Sequence, residues 1–333
     1  MIVILDSNVW LAELGLRSSK GAVARLYLQQ QRARLALPEV IRLEVEHNLR
    51  NRLRSLVSTL QDTHRQLLAI FGSLKELVIP DAAAIEGRVA ELFGNLGVEV
   101  LEIPFSFSSA KSSFLKTIDK VPPSDRTQEF KDGVIWADCV ELLKSDDVCL
   151  VTADKAFYAD RDYNKGLATS LAAEIADAAR SFSLLPSLDQ LVLDLRVDVA
   201  IDEDMLVKTY LDKNFEAIDG LLKRNGFVLG EKLDISKDVF ATEDPSVLYI
   251  KFAIKFEAKE TAGDGRMDGV VTLSGDGSYD TRRHILTNFR NLEESLRFRQ
   301  SDGEEREVRN VYASMEAFLG HRDISHTIRH KLP

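Results

Sequence analysis

The sequence predicts an α/β domain over residues 1–197, with a parallel sheet sandwiched by helices, followed by a smaller antiparallel α+β domain over 198–333. Short, uninterrupted apolar runs alternate with helical segments in the first part, as is typical of a parallel sheet covered on both faces. After residue 198, longer segments alternate apolar and polar residues, and Gly-Asp-Gly sequences separate them. That pattern favours antiparallel strands joined by turns.

The first part contains five candidate strands and several helices. The strands are predicted at 2–5, 34–37, 98–103, 148–151 and 182–185. Helical sequence is predicted up to about residue 31, from 39 to 60 and on to about 96, from 132 to 144, from 165 to 180 and from 187 to 195. Residues 106–130 are rich in Ser, Lys and Pro, which predicts a long loop.

The second part is predicted to contain one amphipathic helix and several strands. The helix is expected over 203–225, strands over 247–256 and 270–273, and turns at 263–265 and 275–277. His326 and His330 stand four residues apart, a spacing by which a helix can present two zinc ligands, although no cysteine lies near them. An exposed tail is the ordinary interpretation.

Composition excludes several classes of protein. A formal charge of −10 is not that of a polycation that coats nucleic acid, although a local basic strip remains compatible with it. The two cysteines, Cys139 and Cys149, do not form a CxxC pair, which favours a reduced compartment. No apolar run is long enough for a membrane span, and no signal peptide is recognisable at Met1. We therefore expect a cytoplasmic protein with no membrane partner.

Four acidic residues have related positions in this predicted fold. Asp6 and Asp154 each follow a buried strand, Asp132 opens a helix, and Glu44 lies near the start of another. In an open parallel sheet, ligands gather outside the carboxyl ends of the strands. Two carboxylates about 4 Å apart repel by about 4 kcal/mol at an effective dielectric near 20, so a cation is needed to hold them together. Hard oxygen ligands select Mg²⁺ or Mn²⁺.

Each acid also has an ordinary structural interpretation. Asp6 and Asp154 could be turn residues, and Asp132 a helix cap. Asp138 lies about 240° around the helix from Asp132, which predicts a solvated polar stripe. A phosphohydrolase with a strand-end Asp nucleophile is disfavoured, because Asn8 stands where the second Asp is needed.

Four segments, in order, resemble the motifs of PIN-domain nucleases. They are residues 2–8 (IVILDSN), 37–44 (LPEVIRLE), 130–136 (FKDGVIW) and 150–157 (LVTADKAF). The chain is similar to a bacterial PIN-like subgroup with an extra C-terminal domain. The resemblance implies that Asp6, Glu44, Asp132 and Asp154 are the catalytic and metal-binding residues, and that Ser7, Asn8 and Thr152 orient carboxylates or waters. Relatives carry a further acid at the position of Ala156, so a site of four carboxylates is expected here, with Asp160 and Asp162 as solvated loop acids.

The resemblance implies a divalent-metal-dependent endoribonuclease, a hydrolase of phosphodiester bonds in single-stranded or structured RNA. Lys131, Lys155 and Arg50 are candidate contacts to substrate phosphates. Two alternatives stay open: a nuclease that acts on DNA, and a catalytically silent PIN scaffold that serves as an interaction module. The C-terminal domain is expected to bind a protein partner or a second copy of the chain.

Overall fold

A computed structural model describes residues 1–13, 15–261, 263, 265 and 267–311, together with the backbone of 328–331. The chain forms two compact units, Met1–Ser18 with Tyr27–Leu191 and Ser19–Leu26 with Val192–Pro333. The division after Leu191 falls six residues before the predicted boundary, and the sequence did not predict that Ser19–Leu26 joins the second unit. No helix in the described ranges is long and apolar enough to cross a membrane.

The first unit is built on a five-stranded parallel sheet in the order β3-β2-β1-β4-β5. Its strands are β1 Ile2–Leu5, β2 Arg34–Pro38, β3 Val100–Ile103, β4 Val148–Val151 and β5 Phe182–Leu185. Every residue of β1 and β4 is buried, as their uninterrupted apolar sequence predicts for central strands. The α/β fold class and all five strands are therefore confirmed.

Helices connect these strands. They are α1 Ser7–Ala12, α2 Ser19–Gln30, α3 Glu39–Phe71, α4 Ala82–Ala90, α5 Phe107–Asp119, α6 Phe130–Leu142, α7 Thr169–Glu174 and α8 Leu188–Leu191. Helix α3 is 33 residues long and ends at Gly72, which adopts the left-handed conformation that glycine tolerates. The helix predicted over 165–180 is limited to α7, because short 3₁₀ turns occupy the preceding segment.

The loop predicted over 106–130 is wrong in its first half, where α5 lies. Ser106 caps this helix by accepting a hydrogen bond from the N–H of Ser109, at 3.0 Å. Ser109 and Ser113 are buried on the side that packs against α6. A Cβ on Gly133 of α6 would lie 2.3 Å from the Ser113 hydroxyl oxygen. The serines that suggested a loop are small residues at a close contact between two helices.

The second unit contains the helix α9 Glu203–Arg224 and a six-stranded antiparallel sheet in the order β11-β10-β9-β8-β7-β6. The strands are β6 Phe227–Ala241, β7 Val247–Glu260, β8 Gly269–Asp280, β9 Ile285–Arg299, β10 Glu305–Val311 and β11 Ile328–Lys331. The apolar face of α9, including Leu206 and Tyr210, joins the core formed by these strands. Residues Ser19–Leu26 contribute an ion pair from Arg25 to Glu243.

Two predictions for the second unit need correction. The turn predicted at 275–277 is wrong, because Gly275 and Gly277 lie inside β8. A Cβ on Gly275 would lie 2.8 Å from the ring of Phe252, so glycine is present to admit an aromatic neighbour. Of the other predicted features, Asp264 and His326 lie outside the described residues, and the backbone at His330 belongs to a strand, not a helix.

Candidate functional site

The site is built where β1 and β4, adjacent in the sheet, end. Leu5 pairs with Val151 in register, so Asp6 and Thr152 leave the two strands side by side. The N–H of Asp6 still donates to the carbonyl of Val151, at 3.0 Å, which carries the pairing into the site. Asp154 follows two residues after Thr152. The parallel pairing of β1 with β4 is enough to place these residues together.

Asp6 is almost completely buried and tightly held. Its carboxylate accepts hydrogen bonds from the N–H of Ser7 at 2.6 Å and from the hydroxyl of Thr152 at 2.7 Å. Burial raises the pKa of Asp6, the two hydrogen bonds lower it, and the charges of Glu44 and Asp154 raise it again. The hydroxyl of Thr152 also accepts from the N–H of Asp154, at 3.0 Å. Ser7 and Thr152 therefore fix the orientation of Asp6.

Asp132 lies in the first turn of α6 and faces the same acids. Its pKa is raised, first by burial and then by the charges of Asp6 and Asp154. Its side chain is hydrogen-bonded to Asp154, which raises the pKa of Asp132 further. Asp154 in addition accepts from the N–H of Ala156, at 2.7 Å. Three aspartates from two strand ends and one helix start therefore act on one another.

Glu44 completes the cluster from α3. Its charge raises the pKa of Asp6, and its carboxylate is paired with the ammonium group of Lys131. Glu129, which was not among the predicted residues, adds a further negative charge that acts on Asp132. Glu129 precedes Asp132 by three residues, the spacing at which helical side chains become neighbours, so helical periodicity could have identified it.

The carboxylate oxygens of the cluster suit a hard divalent cation, but their arrangement is not that of a formed metal site. Among the residues that the structure describes, no three His, Cys, Asp or Glu side chains stand at the separations of a metal site. Two of the acids have partners of another kind: Asp132 is hydrogen-bonded to Asp154, and Glu44 is paired with Lys131. Asp6 and Asp132, whose pKa values are raised by burial and by the neighbouring carboxylates, are nevertheless groups that a divalent ion would neutralise. Asp6, Glu44, Asp132 and Asp154 would hold it.

The remaining predicted residues lie in different surroundings. Asn8 is exposed on α1. Arg50 forms an ion pair with Glu86 of α4, with both carboxylate oxygens 2.9 Å from its Nε, so we do not retain it as a phosphate contact. The ammonium group of Lys155 lies 5.2 Å from the ring centroid of Tyr163. The two loop acids at 160 and 162 pair with Lys165 and cap a 3₁₀ turn, respectively, outside the cluster.

The solvated stripe predicted at Asp138 is wrong. Asp138 is buried, and the hydroxyl of Ser109 donates to it at 2.8 Å. Burial raises its pKa to about 6. The reason is α5, which covers this side of α6. The sequence predicts a loop in place of α5, and a loop would not cover the carboxylate.

An open parallel sheet with aspartates at the ends of its central strands defines an α/β domain of the class that binds its ligands outside the carboxyl ends of the strands. Residues 3–157 match the family model of the PIN domain, and the first unit belongs to the PIN-domain family. The match contains all four clustered acids, and PIN domains are generally nucleases. Searches among curated proteins and among solved structures found no match to the chain.

Proposed function

We propose that this protein is a divalent-metal-dependent endoribonuclease that hydrolyses phosphodiester bonds of single-stranded or structured RNA. The observation that carries the proposal is the mutual electrostatic influence of Asp6, Glu44, Asp132 and Asp154 at one end of the sheet. The family match supports a nucleic acid as the substrate. Both cysteines are buried and free, which suits the cytoplasmic location that we propose.

The roles of the residues follow from their contacts. Bound Mg²⁺ or Mn²⁺ would supply an activated water and offset the charge that develops on the phosphate. Ser7 and Thr152 keep the carboxylate of Asp6 pointing into the cluster. Asp132, whose pKa is raised to about 9, must lose its proton in order to act as a ligand. Lys131, once separated from Glu44, carries a free ammonium group to the place where the substrate phosphate lies.

One observation favours the alternative of a silent scaffold. The pairing of Glu44 with Lys131 and the hydrogen bond between Asp132 and Asp154 give three of the acids partners without any cation. If these contacts hold against millimolar Mg²⁺, the cluster is a structural feature, and the second unit would carry the function by binding a protein partner or another copy of the chain.

Cleavage of labelled RNA separates these proposals. Wild-type protein is incubated with single-stranded RNA, and with DNA of the same sequence, in Mn²⁺ or in EDTA. The test variant is Asp6→Asn/Asp154→Asn, and the matched control is Asp160→Asn, which changes an exposed acid paired with Lys165. We expect Mn²⁺-dependent cutting of RNA by wild type and control and none by the double variant. Equal cutting by all three proteins would refute the proposed site. Cutting of DNA alone would show that DNA, and not RNA, is the substrate.

A further inference from the structure

A pocket of about 480 Å³ adjoins the acidic cluster on the side of α3. The pocket is lined by apolar and by polar residues. We call the apolar ones the apolar wall (Val40, Leu43 and Phe105) and the polar ones the polar edge (Glu44, His47, Asn48 and Lys131). Glu44 and Lys131 are thus common to the pocket and the cluster, so a ligand in the pocket has its polar end at the proposed cleavage site.

The apolar wall is exposed although its backbone is well fixed. Leu43 and Phe105 are 52% and 47% exposed, respectively, whereas the apolar side chains of the core are buried. The N–H of Phe105 donates to a carboxylate oxygen of Glu39 in the first turn of α3, at 2.8 Å. Helix α5 starts two residues later. An aromatic ring that is open to solvent on a fixed backbone is a stacking surface that costs little ordering on binding.

The polar edge suits the rim of a base and the phosphate attached to it. Asn48 carries an amide that both donates and accepts. His47 stands beside it, with its Nε2 2.8 Å from the Nδ2 of Asn51. Lys131 supplies the positive charge. An apolar peptide side chain offers no hydrogen bond to the amide of Asn48, whereas a nucleotide offers a flat ring, hydrogen-bonding edges and an anion in one molecule.

We infer that this pocket holds one unstacked nucleobase of a single-stranded RNA, stacked on Phe105, beside the phosphate that lies at the acidic cluster. The inference rests on the proposed function, which it deepens by naming the form of the substrate. A base in a duplex is paired and stacked on both faces, so it enters the pocket only after it is extruded from the helix. Single strands present such bases without that step.

The test compares Phe105→Ala with Phe107→Ala. Phe107 is two residues away and 84% exposed, but it does not line the pocket. Loss of one base–aromatic stack lowers kcat/KM by about 5- to 150-fold. We expect that loss for Phe105→Ala on single-stranded RNA and no change for Phe107→Ala. Thermal unfolding of both variants checks that the first unit is intact, and Phe105→Trp, which keeps a stacking ring, should retain activity.

Substrates with a single abasic position locate the base. At one position relative to the cut, removal of the base should lower the kcat/KM of wild type by the same factor as Phe105→Ala does. Removal of the same base should not lower the kcat/KM of Phe105→Ala any further. Equal abasic penalties in both proteins, or full activity of Phe105→Ala, would overturn the inference while leaving the nuclease in place.

A binding measurement separates the pocket from the catalysis. RNA with 2-aminopurine at successive positions is titrated with wild-type protein in EDTA, where no cutting is expected. A change of fluorescence confined to one position, lost in Phe105→Ala and kept in Phe107→Ala, supports the pocket even if cleavage is never found. Cleavage without any position-specific change refutes the pocket and leaves the proposed activity standing.

Discussion

Replacing Asp132 by Asn should stabilise the first unit when no divalent cation is present, and the gain should grow with pH. The pKa of Asp132 is raised from 3.8 to about 9, mainly by burial and then by Asp6 and Asp154. In the unfolded chain the same carboxyl group is ionised at neutral pH, so folding must take up a proton. Asn carries no such requirement and still donates a hydrogen bond to Asp154.

The size of the effect follows from the proton that folding must take up. Since the folded pKa is raised, the stabilising contribution of Asp132 is complete below pH 3.8 and is lost as pH rises toward 9. Each pH unit costs about 1.36 kcal/mol, so the roughly three units up to pH 7 cost about 4 kcal/mol at most. Asp132 is only partly buried, and screening by solvent reduces the expected gain to about 2–3 kcal/mol at pH 7. At pH 4 the gain should be close to zero.

Urea denaturation in EDTA at pH 4, 7 and 8.5, followed by tryptophan fluorescence, measures this gain. Both tryptophans of the chain, Trp10 and Trp136, are buried in the first unit, so the signal reports that unit alone. The control is Glu141→Gln on the same helix, whose side chain is 71% exposed and pairs with Lys144. If Asp132→Asn is no more stable than wild type at pH 8.5, or if its advantage does not widen with pH, the electrostatic account of the cluster is wrong.

Two further predictions concern the contact between α5 and α6 and use the same denaturation assay. Asp138→Asn should add about 1–2 kcal/mol at pH 8 and nothing at pH 4, because burial raises the pKa of Asp138 to about 6 and its stabilising contribution is lost as pH rises from 3.8 through that value; a variant less stable than wild type at pH 8 would contradict this. Gly133→Ala should cost about 1–3 kcal/mol, since the new methyl group would lie 2.8 Å from the Cβ of Ser113, and unchanged stability would mean that the two helices separate easily.

The sheet and the position of the acids could be predicted because they depend on local sequence. A short apolar run with no polar interruption identifies β1 and β4 as central strands. The chain direction in a parallel sheet then places Asp6 and Asp154 at the same edge without knowledge of any distant contact. Glu44 and Asp132 lie near the starts of helices, and the resemblance to PIN-domain nucleases implies their role as ligands. In the structure Glu44 acts on Asp6, and Asp132 is acted on by Asp6 and Asp154.

The rest depends on contacts between distant residues. Ser109 and Ser113 are favourable in loops as much as at close helix contacts, and only Gly133, far along the chain, distinguishes the two cases. The burial of Asp138 follows from that contact and was missed with it. The pairing of Glu44 with Lys131 joins residues 87 positions apart, which no periodicity can reveal. The sequence therefore does not predict the burial of Asp138 or the pairing of Glu44 with Lys131, because in each case the partner lies on another helix.

The path of the chain through the two units limits how this protein can be divided. Residues Ser19–Leu26 belong to the second unit, yet the ribosome makes them before most of the first. A fragment cut after Leu191 would lack Glu243 and Ser278, the partners of Arg25 and Ser19 in this segment. Exchange of either half by a single recombination event would break the same contacts. The two halves are therefore expected to have been inherited together, and a truncated first half is expected to be less stable than the same residues in the whole chain.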